Sequence, residues 1–220
     1  MIGLKMAEPS PDFGMEEYAR LWYAFRAIGL GQKTGIELPG EEAGILPHYK
    51  NWSKLSPTRM TLGQGIAVTP VQLCNAFATI ANGGKLMRPT ILREIRTHEG
   101  ELVRTNTQEI IGRPLTPEVS AKVLDMLRGV TDRSKGGTGW RAALHDYTVA
   151  GKTGTGQIPI NGRYNDTDYN ATFVGIFPST APRLAILVTL ERPKGPRHSG
   201  GNVAAPIFAQ IAEPIGHYMN

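Results

Sequence analysis

The sequence predicts an α+β fold in which helices pack an antiparallel sheet. Three observations carry that expectation. Apolar residues recur at helical spacing over 15–28 and 71–82. β-prone runs come late, one entering 150–157 through Tyr147, Thr148 and Val149, the others at 170–177 and 184–190. A helical segment at 203–213 closes the pattern. Helices first, then strands and a final helix, is the element order of α+β domains.

Each element has a local reason. Met15, Tyr18, Leu21, Trp22, Phe25 and Ile28 make one apolar stripe, and Gly29 and Gly31 end the helix behind it. Residues 36–68 carry Pro39-Gly40, Pro47 and Pro57 and read as turns. Thr69-Pro70 is a cap followed by proline at the first helical position. The helix then runs over 71–82 with Leu73, Cys74, Phe77 and Ile80 inward, and Gly83-Gly84 closes it. Cys74 is thereby expected to be a buried thiol. As the only cysteine it excludes a disulfide framework.

Segments 91–96 and 101–104 form a hairpin turning at Glu99-Gly100. Thr116-Pro117 repeats the cap-then-proline device for a helix through 127, bearing Val119, Val123, Leu124 and Leu127. A glycine-rich loop at 134–139 leads toward the first late strand. The last helix, 203–213, has Pro206 in its first turn. The polar stretch 157–169 reads as a loop beside that strand, able to line or gate a cleft.

Composition narrows the function classes. The 220 residues suit one domain or a large piece of one, with 40% hydrophobic and 20% charged residues. The net charge of +5 favours anionic partners mildly. Its basic residues are scattered and not interleaved with aromatics, so nucleic acid is not an expected partner. No apolar run approaches the ~18–20 residues of a membrane span. The first seven residues lack the region order of a signal peptide, so no export signal or membrane anchor is expected in this chain.

The most informative motif is Lys152-Thr153-Gly154, within Val149-Ala150-Gly151-Lys152-Thr153-Gly154-Thr155-Gly156-Gln157. A cation, two hydroxyls and glycines follow directly on a β-prone run. That suits a strand edge along which a substrate lies: lysine supplies charge, threonines supply donors, and glycine permits close backbone approach. In enzymes with a Ser-x-x-Lys nucleophile a Lys-Thr-Gly strand walls the active site. The tripeptide alone arises by chance in about 5% of chains this long, and here it occurs twice. Lys33-Thr34-Gly35 follows a helix and leads into a Pro-Gly turn, so it reads as a connection. Threonine in a strand is also ordinary, and the residues alone leave both readings of Thr153 and Thr155 open. A phosphate-binding loop would need glycine where Asp146 stands, and a dinucleotide loop would need glycine where Pro159 stands.

Several segments together resemble the C-terminal part of the transpeptidase domain of class B penicillin-binding proteins. Residues 29–41 resemble that family's Gly-x-Gly-x-x-Thr-Gly-Ile-x-Leu-Pro-Gly-Glu segment. Gly63-Gln64-Gly65-Ile66-Ala67-Val68-Thr69-Pro70-Val71-Gln72-Leu73, ending at Ala81-Asn82-Gly83-Gly84, resembles its most recognisable helix. Gly136-Gly137-Thr138-Gly139 and 149–157 resemble the approach and the active-site strand. Thr172-Phe173-Val174-Gly175-Ile176-Phe177-Pro178 and Gly200-Gly201-Asn202-Val203-Ala204-Ala205-Pro206-Ile207-Phe208 complete the set, nearly end to end and in family order. The Gly-Gln-Gly-Ile-Ala-Val-Thr-Pro form leans toward the division-specific subclass.

The resemblance implies a penicillin-binding/β-lactamase-like fold and a role in cross-linking peptidoglycan. A serine attacks the D-Ala-D-Ala bond of a stem peptide, D-Ala leaves, and an amine on a second stem peptide takes the acyl group. β-Lactams trap the acyl-enzyme. It implies that Lys152 attracts the substrate carboxylate and that Thr153 and Thr155 hydroxyls bind it. It also implies that the Thr155 amide serves as an oxyanion donor and that Gly154 lets the acyl peptide lie along the strand. By the same resemblance 33–35 is a structural loop. No cofactor is implied. A glycosyltransferase of the division machinery and an extracytoplasmic site at the bacterial inner membrane are implied for the parent protein.

The nucleophile is missing from this pattern. None of the seven serines, Ser10, Ser53, Ser56, Ser120, Ser134, Ser179 and Ser199, has lysine three residues on or asparagine two residues on. In the family both motifs precede the region that matches here. The expectation is therefore a partial transpeptidase domain over 1–220, lacking its N-terminal part and inactive alone, with one sheet edge or face uncovered. A non-catalytic wall-peptide binding module and a class D β-lactamase are the alternatives.

Other candidates are weaker. The five histidines show no metal spacing, and His145-Asp146 reads as a solvated loop whose neighbours point apart. Arg192, Lys194, Arg197 and His198 follow the last strand and suit either a solvated loop or an anionic substrate. Trp22 and Phe25 read as core.

Overall fold

The computed structural model describes residues 14–160 and 163–219. The chain divides into two compact units, Met1–Ala76 with Lys85–Pro114, and Phe77–Gly84 with Leu115–Asn220.

In the first unit, helix α1 (Met15–Ala27) buries Tyr18 and packs Leu21, Trp22 and Phe25 around Trp52 and Met60. Met15 lies at its exposed start and does not join the stripe. Gly29, at φ +96°, donates its N–H to the Arg26 carbonyl while the Leu30 N–H reaches the Phe25 carbonyl. That pair closes a helix C-terminus through a left-handed residue, which is why glycine stands there. Helix α2 (Ser56–Thr61) falls inside the stretch expected to be turns, with Pro57 in its first turn and Pro57 and Met60 buried. Six residues are too few to show a helical period, and Pro57 sits where a first helical turn tolerates it.

Helix α3 (Pro70–Ala81) opens with a reciprocal cap. The Thr69 Oγ1 accepts the Gln72 N–H (3.2 Å) and the Gln72 Oε1 accepts the Thr69 N–H (2.9 Å). Gln72 is nonetheless buried, because its Nε2 donates to the carbonyls of Gln32 (2.6 Å) and Ala43 (2.8 Å). The buried line of this helix is Gln72, Ala76 and Thr79. Leu73, Cys74, Phe77 and Ile80 are only half-buried, so the thiol is not a core group. Strands β1 (Leu86–Met87), β2 (Glu94–Arg96), β3 (Leu102–Thr105) and β4 (Ile110–Gly112) make two antiparallel pairs, β1 with β4 and β2 with β3. The β2–β3 pair is the expected hairpin, turning through Gly100 at φ +90°.

The second unit holds the expected antiparallel sheet, β5 (Ala150–Ile160), β6 (Arg163–Phe177) and β7 (Leu184–Glu191), in the order β5-β6-β7. Helix α5 (Gly200–Met219) covers one face. There Phe173 and Phe177 meet Ala204, Ala205, Phe208 and Ala212, all fully buried. Helix α4 (Pro117–Arg128) and the end of α3 cover the other, through Leu124, Leu127, Phe77 and Ile80 against Ala150 and Ile176. The parity of β6 explains both layers, since 173 and 177 point one way and 176 the other. In α4 the Thr116 cap forms as expected, but Ser120 and Leu124 make the buried line and Val119 is exposed. Leu124 and Leu127 hold the expected face, and only its first residue, Val119, gives way to Ser120.

Two boundaries differ from expectation. The described part of 157–169, residues 157–160 and 163–169, is not a loop: β5 and β6 continue as a long ribbon, pairing Gln157 with Tyr169 and Pro159 with Tyr164. The final helix is longer at both ends, so Pro206 lies inside it, not in its first turn. No helix among the described residues is long and apolar enough to cross a membrane.

Candidate functional site

The site is built on the outer strand of the sheet. β5 pairs with β6 alone, leaving its second edge open among the described residues. Lys152, Thr153, Gly154 and Thr155 stand opposite Val174, Phe173, Thr172 and Ala171 in continuous register. The sequence motif is therefore an edge strand held rigid on its inner side. Strand alternation sets Thr153 and Thr155 on the α5 face and Lys152 on the other. Lys152 is exposed, and its Nζ donates to the Thr153 carbonyl at 2.8 Å.

Both threonine hydroxyls have neighbours that the sequence reading did not assign. The Thr153 Oγ1 lies 2.9 Å from the Thr138 Oγ1, brought in by the glycine-rich loop. The Thr155 Oγ1 accepts the N–H of Gly200, the first residue of α5, at 3.2 Å. That approach needs glycine. A Cβ on Gly200 would lie 2.1 Å from the Thr172 carbonyl oxygen and 2.4 Å from that of Gly154, and one on Gly201 would lie 2.1 Å from the Thr138 oxygen. The Gly200-Gly201 pair thus lets a helix start press directly on the Lys-Thr-Gly strand.

The strand continues beside an aromatic pair. Tyr169, opposite Gln157, stacks on His198 with centroids 4.3 Å apart and planes 16° apart. Arg192 is tied to Glu191 (3.1 Å) and Asp168 (3.7 Å), while Lys194 and Arg197 are exposed.

The earlier Lys33-Thr34-Gly35 copy is built differently. The Thr34 hydroxyl and amide and the Gly35 amide all donate to the Glu41 carboxylate. Burial pushes that carboxyl up, but these hydrogen bonds, with the charge of Lys33, outweigh it and hold the carboxyl below its ordinary value. Its donors are consumed internally, as a connecting loop requires.

His145 and Asp146 do not point apart. The His145 Nδ1 lies 2.7 Å from the Asp146 Oδ1. That hydrogen bond, with the charges of Asp146 and Glu213, raises the His145 pKa above the ordinary imidazole value. The fold also brings Glu213 and His217 to Asp146, a grouping that linear spacing could not reveal. Trp22 and Phe25 are half-buried and pack against the first unit's Tyr18–Trp52–Met60 cluster.

Comparison with known proteins places this architecture. The family model described as "Penicillin binding protein transpeptidase domain" matches residues 10–213. The chain is 36% identical over 200 residues to penicillin-binding protein PbpB of Mycolicibacterium smegmatis, covering 88% of this chain and 31% of that protein. It is 34% identical to stage V sporulation protein D of Bacillus subtilis, covering 87% and 29%. Among solved structures it resembles penicillin-binding protein 3 of Mycobacterium tuberculosis in complex with ampicillin, at TM-score 0.82 and 34% identity over 96% of this chain and 47% of that one. The transpeptidase domain of Burkholderia pseudomallei penicillin-binding protein 3 matches at TM-score 0.80 and 30% identity, covering 99% and 62%. The chain spans about 30% of the length of the curated relatives it matches.

Proposed function

Because the chain belongs to the penicillin-binding protein transpeptidase family, we propose that it supplies the Lys-Thr-Gly wall of a peptidoglycan D,D-transpeptidase active site on the extracytoplasmic side of the membrane. The carrying observation is the open edge of β5, with Lys152, Thr153, Gly154 and Thr155 in unbroken register on a covered sheet. A stem peptide ending in D-Ala-D-Ala would lie antiparallel along that edge. Lys152 would set a positive potential for its carboxylate, the hydroxyls of Thr153 and Thr155 would donate to it, and the Thr155 amide would face the oxyanion. A β-lactam would present the same carboxylate and acyl group. The ampicillin and aztreonam complexes of the M. tuberculosis relative support that reading.

The serine must come from elsewhere, since no serine here has a lysine three residues on or an asparagine two residues on. A segment carrying Ser-x-x-Lys and Ser-x-Asn would provide the nucleophile, its base and the second oxyanion donor. The 220-residue chain incubated with penicillin is expected to show no acyl adduct by intact mass. An adduct on any of its serines would overturn this assignment. Fusing the N-terminal part of the M. smegmatis PbpB transpeptidase domain ahead of this chain should restore labelling by a fluorescent penicillin. Lys152→Ala should then slow it about 100-fold, the order of magnitude for loss of one preorganised electrostatic group. A folded fusion that binds D-Ala-D-Ala peptides but never labels would establish a non-catalytic binding module instead.

A further inference from the structure

We infer that Arg133, Trp140 and Arg141 form a carboxylate-reading subsite for the second substrate, the amine that accepts the acyl group. The inference rests on the transpeptidase reading above. The Arg133 guanidinium carbon stands over the Trp140 ring at 4.4 Å from its centroid, and that of Arg141 at 4.3 Å. Two like charges are thereby gathered on one indole, with Arg133 exposed and Arg141 half-buried. Attraction to the ring face offsets part of their repulsion. No acid completes the balance. Among the described residues neither arginine lies in a salt bridge. Asp132, the one acid of 132–142, is engaged elsewhere. Its Oδ1 accepts the Ser134 N–H (2.9 Å) and the Ser134 hydroxyl (2.7 Å), and its Oδ2 faces the Lys135 Nζ at 3.4 Å. A guanidinium lying on a ring keeps the N–H donors of its rim, and these match a carboxylate as a two-bond fork. The patch suits an anionic group that this part of the chain does not itself supply.

Its position says which anion. The Thr131 hydroxyl donates to the Val149 carbonyl at 2.7 Å, so the segment carrying the patch is tied to the chain just before the Lys-Thr-Gly motif. Thr138 then meets Thr153, and Gly139 packs so closely that a Cβ there would lie 3.4 Å from the Thr153 Cγ2. Trp140 follows directly. A peptide antiparallel to β5 has its C-terminus toward Lys152 and its earlier residues toward Gln157. The patch therefore flanks the carboxylate end of the donor peptide. That is the end from which D-Ala departs and at which the acceptor amine must arrive. The basic residues of 192–198 belong to the opposite end, where His198 stacks on Tyr169 across from Gln157. An acceptor that bears a further free carboxylate is accordingly favoured over its amide.

The test is an NMR titration of the isotope-labelled 220-residue chain with two amine dipeptides, D-Ala-D-Glu and its side-chain amide D-Ala-D-Gln, following the tryptophan indole N–H signals. Trp22 and Trp52, both in the first unit's aromatic cluster, serve as internal references. The Trp140 signal should move with D-Ala-D-Glu. Affinity for D-Ala-D-Gln should be about two- to fivefold lower, the range for a solvent-exposed charge pair. Arg133→Gln combined with Arg141→Gln should erase that preference. Replacing both arginines by lysine keeps the charge and should retain part of it, which controls for loss of fold. Arg104→Gln, an exposed cation of the first unit, should leave it unchanged. An unmodified chain whose Trp140 signal does not move, or that binds both dipeptides equally, would overturn the subsite. So would a double glutamine variant that keeps the preference. The two readings fail separately, because penicillin labelling of the fusion tests the donor strand whereas this titration needs no nucleophile and tests the patch.

Discussion

A hydroxyl carries one proton and two lone pairs, and at Thr155 the fold constrains how they are used. The Gly200 N–H can only donate, so the Thr155 Oγ1 accepts it and its own proton remains available. Thr138 and Thr153 make one hydrogen bond across 2.9 Å in which either hydroxyl can donate, which leaves the other's proton available. A substrate carboxylate, which only accepts, would draw the proton of Thr153, and Thr138 would then donate to Thr153. On the proposed function, Thr138 is a positioning residue for its neighbour. In the fusion described above, Thr138→Val should lower the second-order rate of penicillin acylation about 2- to 10-fold, the equivalent of one ordinary hydrogen bond of about 0.5–1.5 kcal/mol. Thr138→Ser should restore it. A merely structural role would leave both variants alike in acylation once folding was matched. A second residue-scale prediction concerns Glu41. Its pKa is lower in the folded chain than the ordinary glutamate value of about 4.3. Such a group adds stability above its unfolded pKa and loses it as pH falls through the folded value. Glu41→Gln should therefore destabilise the chain at neutral pH and flatten the fall in Tm below about pH 4.3. A Tm that drops with acid equally in both proteins would exclude the role.

At the scale of elements, the signals that were legible were local ones. Tyr147 to Val149 announced β5, Thr116-Pro117 announced α4, and Glu99-Gly100 marked the β2–β3 turn, because each depends on neighbours in sequence. The β5–β6 ribbon was not legible, for two physical reasons. The returning segment 163–169 is mostly polar, so Ile158 and Ile160 give too short an alternation to mark a strand, and Pro159 argued against one. Proline is tolerated there because β5 is an edge strand with a register shift between Gln157 and Pro159. The one cue was Asn161-Gly162, a pair typical of tight hairpins, between the two strands. The start of α5 was hidden for a different reason. Glycine disfavours helix, yet Gly200 and Gly201 open one because only glycine admits the carbonyls packed against them. Gly200→Ala should consequently cost about 1–3 kcal/mol in urea denaturation, the range for overpacking a tight contact. Gly156→Ala, on β5 with nothing within 4 Å of its Cβ, should stay within about 0.5 kcal/mol. Equal costs would mean that the helix start yields.

At the scale of the whole molecule, the surfaces left open decide behaviour in solution. β5 presents an unpaired edge among the described residues, and such edges template pairing with other chains. Large apolar side chains are exposed in the first unit as well, with Leu62 at 73%, Leu55 at 59%, and Ile91 and Val103 at 62%. No sequence pattern could report these exposures, because they depend on which elements come to lie beside which. Of the proposed site, Lys152, Thr153, Gly154 and Thr155 are consecutive, and so were legible as a motif. Thr138 and Gly200, distant in sequence, were not legible, because they meet the strand only in the fold. The open edge and the apolar surface together predict concentration-dependent association of the 220-residue chain by sedimentation velocity. The PbpB fusion should sediment as a monomer at the same concentrations if the added segment covers those surfaces. The apolar contribution has a distinct signature: association should persist in high salt, because charge screening weakens ion pairs and leaves hydrophobic contact intact. A chain that stays monomeric at all concentrations would show that neither the β5 edge nor the exposed leucines and isoleucine are sticky enough to matter. Association abolished by salt would assign it to the net charge distribution instead.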